Sequence, residues 1–152
     1  MKAHSTALLL LIPAFAHTQD LTVSQTFGTG GDILLNLTPG YFESGSEHAL
    51  TPDGKVLIGG FCYIGGGPNT FHTTFVRFDP TCGNLDTSLA GVGYVQRTFE
   101  GRTILRGLAV QQDNKIVGCG MIAPDNGGSG QWPGVFRLKP DGDVDSTFNG
   151  TG

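Results

Sequence analysis

Charge is scarce in this chain: only 14% of its 152 residues are Asp, Glu, Lys or Arg, and the formal net charge is -4. A nucleic-acid binder neutralises phosphates with a stripe of Lys and Arg, so nucleic acid is not expected as a partner. Long apolar runs are lacking too, and nothing reaches the ~18–20 residues that a bilayer span needs. No membrane span is predicted. Cysteine occurs only as Cys62, Cys82 and Cys119, with no C-x-x-C pair and no His/Cys spacing suited to zinc. An odd count allows at most one disulfide in an oxidising compartment and leaves one thiol over, or pairing between chains. Burial as three small apolar side chains is an equal expectation.

Glycine, with 25 residues, and proline, with 8, are plentiful. That much punctuation excludes long helices and suits short strands joined by tight turns. The N-terminus has its own pattern: Met1-Lys2, an apolar run over 7–12, then Pro13-Ala14-Phe15-Ala16 before His17. A cationic start, a short apolar stretch and an Ala-x-Ala site in that order predict a secretory signal cleaved after Ala16, and hence a secreted or cell-surface protein. The competing reading is a buried N-terminal strand or helix.

Aligned with itself, the chain repeats. Thr51-Pro52-Asp53-Gly54-Lys55-Val56-Leu57-Ile58-Gly59-Gly60 recurs as Gln111-Gln112-Asp113-Asn114-Lys115-Ile116-Val117-Gly118-Cys119-Gly120. Phe75-Val76-Arg77-Phe78-Asp79-Pro80 returns at the same offset as Val135-Phe136-Arg137-Leu138-Lys139-Pro140. A seam occurs three times, at 24–30, 86–93 and 145–152, with one residue inserted around Cys82. The period is about sixty residues, which makes duplication the governing feature. It divides the chain into a signal at 1–16, a lead-in at 17–25, units at 26–87 and 88–146, and the start of a third at 147–152.

Each unit predicts four strands. The first lies at 32–37 and 94–99, from the alternation of Ile33, Leu35 and Leu37. A hairpin follows at 47–50 and 55–61 around Thr51-Pro52-Asp53-Gly54, and again at 104–110 and 115–122 around Gln111-Gln112-Asp113-Asn114, with Asn114 in the glycine slot. The fourth strand lies at 73–78 and 134–139. Four antiparallel strands per repeat describe an all-β, β-propeller-like blade, whose sheet cannot cover its own faces and must stack on a neighbour. A β-solenoid or an open stack is the competing architecture. Gly59, Gly60, Gly118 and Gly120 fit strands that approach closely near an axis.

These motifs, Asp-Gly-Lys-Val-Leu-Ile-Gly-Gly, Phe-Val-Arg-Phe-Asp-Pro and Leu85-Asp86-Thr87-Ser88 before a Gly-x-Gly, resemble the delta-60 repeat family of β-propeller-like domains of unknown function. The resemblance runs from Thr26 to Gly152. It departs at Leu89, where Phe is usual, at Asn114, where Gly is usual, and at Val144, which stands where Leu85 does. It implies a secreted or surface location in bacteria, often within longer multi-repeat proteins, and carries over no catalytic residues.

Other chemistry is thin. Gly118-Cys119-Gly120-Met121-Ile122-Ala123 fits a dinucleotide fingerprint formally, but Pro124 and the glycines after it preclude the helix that would hold a pyrophosphate. Asp141, Asp143 and Asp145 alternate like the start of a calcium loop, yet Ser146 and Gly152 occupy the places where Gly and Glu are needed. His17, His48 and His72 have no nucleophile motif, and His48 and His72 do not recur in the other unit. Asn36 and Asn149 head glycosylation sequons. Trp132 and Tyr41 are candidates for stacking on a sugar. No catalytic, cofactor-binding or metal-binding residues are assigned, and no cofactor is expected. The leading expectation is a non-catalytic binding, adhesion or structural module for a protein or polysaccharide surface; the alternative is part of an enzyme or sugar-binding propeller. Because propellers close with about four to eight blades, two units are expected to be a fragment of a longer array or to self-associate.

Overall fold

The computed structural model describes residues 25–65, 71–99, 101–123 and 130–152. The signal expected at 1–16, the lead-in as far as residue 24, and the glycine-rich stretches 66–70 and 124–129 lie outside the described residues. Seven strands form among the described residues: β1 (Phe42–Leu50), β2 (Val56–Tyr63), β3 (Phe71–Phe78), β4 (Tyr94–Arg97), β5 (Arg102–Val110), β6 (Ile116–Ala123) and β7 (Trp132–Leu138). They build two antiparallel sheets, ordered β1-β2-β3-β4 and β5-β6-β7. Among the described residues the protein is all-β, two unclosed blades of a partial propeller.

The two hairpins form as their turn chemistry requires. Thr51 N–H donates to Lys55 O and Gly54 N–H to Thr51 O, both at 2.9 Å, and Gln111, Lys115 and Asn114 reproduce the pair at the same lengths. Gly54 has φ of 85° and Asn114 of 63°. Asparagine fills the left-handed position because its short polar side chain tolerates it better than other L residues do.

The strand expected at 32–37 does not form, although its counterpart Tyr94–Arg97 does. β4 is a strand because it pairs with β3, Phe75 opposite Val95 and Val76 opposite Tyr94. Residues 32–37 have no strand to pair with among the described residues. Their alternation is nevertheless real: Ile33, Leu35 and Leu37 turn inward over Ile58, Val76 and Phe78 on the free face of the first sheet. A hydrophobic period of two therefore reports which side is buried, while strand character also needs a ladder partner.

Leu57, Phe75, Leu89 and Val95 from the first blade meet Leu105, Ile116, Phe136 and Leu138 from the second in one core. Phe136 lies edge-on to Phe75 with centroids 6.0 Å apart, and stacks on Phe99 at 4.0 Å. Burying each such side chain contributes about 1.5–3 kcal/mol, which neither sheet gains alone.

β1 shifts register between Gly45 and Glu47, and β5 does so between Leu105 and Gly107. These are matching bulges one repeat apart. Each aims a carbonyl at the neighbouring strand: a methyl on Gly60 would fall on Ser44 O, and one on Gly120 on Ile104 O. Gly60→Ala and Gly120→Ala should each cost about 1–3 kcal/mol, as overpacking does. Asn114→Gly, at a position already left-handed, should leave urea unfolding unchanged or move its midpoint slightly upward.

Candidate functional site

Charged side chains gather at the hairpin-turn end of each sheet, twice over and in the same arrangement. In the first blade Arg77 Nε donates to Asp86 Oδ2 at 2.6 Å, its Nη2 donates to Ser88 Oγ at 2.8 Å, and Lys55 Nζ lies 2.9 Å from Asp86 Oδ2. In the second, Arg137 Nε donates to Asp145 Oδ2 at 2.8 Å and Nη2 to Thr147 Oγ1 at 3.2 Å, with Lys115 Nζ 3.4 Å from Asp145. The backbone takes part: Asp86 N–H donates to Arg77 O, and Arg77 N–H to Gly93 O. Asp145, Arg137 and Gly152 repeat this. Each cluster fixes a seam against the strand before it.

Arg77 also joins the blades, since its Nη1 donates to Pro140 O at 3.1 Å. Arg97 does the same, donating to Gly142 O and pairing with Asp143. A cleft of about 230 Å³ opens here between Asp53, Lys55, Arg77, Ser88, Asn114, Pro140 and Asp141. Its charges are already engaged. Arg77 is only 5% exposed and Asp145 2%, so these are buried pairs whose remaining valences are met by hydroxyls and backbone, as burial of charge requires.

Ionisation of Asp86 is opposed by burial, but hydrogen bonds from Lys55, Ser88 and Arg77 outweigh that and hold its carboxyl far below the ordinary range. The Thr147 hydroxyl, working against burial and helped by the Thr147 N–H and Arg137, brings Asp145 down to about 2. Lys55 is pushed up, mainly by its hydrogen bond to Asp86.

The alternating carboxylates Asp141, Asp143 and Asp145 are not brought together. Asp141 Oδ1 accepts the Asp143 N–H at 3.0 Å, Asp143 turns to Arg97, and Asp145 to Arg137. The stretch 118–123 that fits a dinucleotide fingerprint lies inside β6. His48 is exposed on β1. His72 sits on β3 with Nδ1 3.0 Å from Thr98 Oγ1, and its buried Nε2 has no hydrogen-bond partner. His17 is outside the described residues. All three thiols are free: Cys62 is buried as a small apolar side chain, whereas Cys82 and Cys119 are exposed.

The opposite end of the sheets is aromatic. Phe42, Phe61, Phe71 and Tyr63 touch in series, with centroids 5.9, 5.9 and 4.7 Å apart. Arg102 of the second blade lies 5.2 Å over the Phe71 ring. Phe42 is 63% exposed and Trp132, at the same end of the second sheet, 56%; Tyr41 adjoins Phe42 and is exposed as well. Trp132 and Tyr41 were legible as candidates in the sequence. The rest of the patch was not, because the partners across β2 and β3 are set by the register Tyr63 opposite Phe71, and no turn signal between those strands fixes it. The charged clusters did leave a signal, the joint recurrence of Lys55, Arg77 and Asp86 as Lys115, Arg137 and Asp145.

Removing Asp86 would leave Arg77 buried and unpaired, so Asp86→Ala should lose about 3–5 kcal/mol. Both aspartates have folded pKa values below the 3.8 of the free side chain. Their contribution is therefore present above pH 4 and lost as pH falls through the folded values. Urea unfolding should show a plateau from about pH 5 to 8 and a decline from about pH 4 towards 2, less steep in Asp145→Asn.

No curated protein and no solved structure matches the chain. Residues 111–148 match a family described as a domain of unknown function (DUF5122) β-propeller, so the second unit, from its hairpin turn through β6 and β7 to the seam, is similar to a β-propeller repeat of the same kind that the sequence resembles.

Proposed function

We propose that the chain is a secreted, non-catalytic propeller-type module that holds a polysaccharide or protein surface through its aromatic end. The observation that carries this reading is the division between the two ends. The Lys–Arg–Asp clusters are duplicated and engaged in joining seam to strand, a structural duty that both blades share, and the pair Arg97–Asp143 joins one blade to the other. The exposed rings of Phe42, Tyr63 and Trp132 serve no such joint, and apolar rings gathered at one edge and backed by a cation are suited to stacking on sugar faces or on apolar side chains. Catalysis finds less support: among the described residues His72 is the histidine with a buried unpartnered nitrogen, and the group beside it is a threonine hydroxyl. Export rests on the charge, length and Ala-x-Ala order of residues 1–16.

Retention of the chain on insoluble polysaccharides, with a protein-coated surface run beside them, tests the reading. Replacing Phe42 and Trp132 together by Ala should weaken retention about tenfold or more, since central aromatic contacts each carry upwards of ~1 kcal/mol. Both side chains are exposed, so unfolding curves should stay put. Turnover of a glycoside or ester that disappears in His72→Ala would overturn the non-catalytic reading. An N-terminal sequence of the exported protein beginning at His17 is the expected result for the signal.

A further inference from the structure

The two blades of this chain have complementary unfilled surfaces. Within the chain, the first sheet presents Leu57, Phe75 and Val95 to the second, which answers with Ile116, Phe136 and Leu138. By the repeat, the outward face of the second sheet carries the equivalents of the first set: Val117 for Leu57 and Val135 for Phe75. Phe75 is fully buried, whereas Val135 is 56% exposed. The outward face of the first sheet carries the equivalents of the second set, with Val76 for Phe136 and Phe78 for Leu138. One end of the chain is a plug and the other its socket.

The segment that would seal this joint is already in place. β4 follows the seam at Gly93 and completes the first sheet along β3. Residues 32–37 follow the seam at Gly31 in the same way: Gly31 N–H donates to Phe27 O, as Gly93 does to Leu89 O and Gly152 to Phe148 O. Gly28 N–H donates to Cys82 O at 3.1 Å, as Ala90 donates to Asp141 O at 2.9 Å. Ile33 rests against Gly83 as Val95 rests against Gly142. Residues 32–37 therefore occupy the position of a fourth strand on the edge of a sheet that stands before the first blade. The cleft of about 240 Å³ beneath them, lined by Ile33, Leu35, Leu37, Ile58 and Val76, is the space such a sheet would fill.

We propose that the chain associates head to tail, the 32–37 segment of one copy pairing with the outer edge of β7 in the next, so that Val135 of one copy stands opposite Ile33 of its neighbour. The pairing repeats the one that completes the first sheet, where Phe75 of β3 stands opposite Val95 of β4. Arg77 gives its N–H to Gly93 O and receives the Asp86 N–H on its own carbonyl, so alternate residues of β3 aim their backbone groups at that edge. Arg137 does likewise with Gly152 and Asp145, which leaves Val135 aiming its N–H and C=O at the open side of β7. Pro133 stands where Thr73 does and has no N–H, so the new ladder is one bond shorter. A heterologous contact of this kind closes into a ring when its rotation permits, and propellers of four to eight blades need about two to four copies. The association does not depend on what the aromatic end binds.

Light scattering on a sizing column should give a single species with the mass of two, three or four chains. Val135→Arg, at an exposed position, should reduce it to a monomer with unchanged circular dichroism. The pair Ile33→Cys and Val135→Cys, made together with Cys82→Ser and Cys119→Ser, tests the register. Residues 33 and 135 lie on opposite outer sides of the two-sheet pack, so a disulfide between them joins different copies. A ladder of covalent multimers on a non-reducing gel, ending at the mass found by light scattering, is the expected outcome. A monomeric native chain, or an oligomer that Val135→Arg leaves intact and the cysteine pair does not cross-link, overturns the proposal.

Discussion

A four-stranded sheet of this length has two apolar faces and can cover neither, and the rest of the structure follows from that constraint. The contact of Phe75, Leu57 and Val95 with Phe136, Ile116 and Leu138 is where one face of each sheet leaves water. Everything that positions the blades serves it: Phe99 crosses from the end of the first sheet to stack on Phe136, and Gly59 leaves room for Leu105 and Leu108 to reach the first sheet. Small domains gain little from a core of this size, so the covered face needs auxiliary joints that do not rely on area.

Those joints are polar, and their geometry explains why buried charge is tolerated. A lone guanidinium at the depth of Arg77 would be costly. Here Nε, Nη1 and Nη2 each meet an acceptor, and Asp86 is met in turn by Lys55 and Ser88. The arrangement fixes a direction as well as an energy, because Arg77 holds the seam of its own blade with Nε and Nη2 while reaching the next blade with Nη1. An apolar side chain could fill that volume but could not specify which strand follows which turn. The pH response falls on the acid side for the same reason, since the aspartates sustain the joint only while ionised.

Much of this was legible in the sequence, and the misses have physical causes. Hairpin turns were legible because φ preference at Gly54 and Asn114 is a local property. Blade architecture was legible because the repeat is long and ordered, and the inward face of 32–37 because period two survives without pairing. That 32–37 is not a strand was hidden, since pairing is decided by a partner that the local pattern does not contain. The bulges at Gly45/Glu47 and Leu105/Gly107 were hidden as well, because a glycine at 60 and again at 120 marks a close backbone approach, which suits strands near an axis as well as the bulge carbonyls of Ser44 and Ile104 that the glycines meet. The aromatic end escaped because it depends on register across β2 and β3, to which sequence spacing through a glycine-rich connection gives no access.

Duplication also separates structural demand from freedom. Two copies of one unit face the same folding problem, so a residue that both retain at equivalent positions is accounted for by the fold: Lys55 and Lys115, Arg77 and Arg137, Asp86 and Asp145, Gly60 and Gly120. Exposed residues whose chemical character differs between the copies are not fixed by that shared problem. At the aromatic end Phe42 corresponds to Arg102, Tyr63 to Ala123 and His72 to Trp132, as the paired registers of β1 with β2, β5 with β6, and β3 and β7 with their neighbours show. The fold is indifferent to which of these is present, since both blades form. Apolar rings held in water at positions where the other copy uses Arg or Ala are not accounted for by blade stability, and that places the search for a ligand at this end of the molecule.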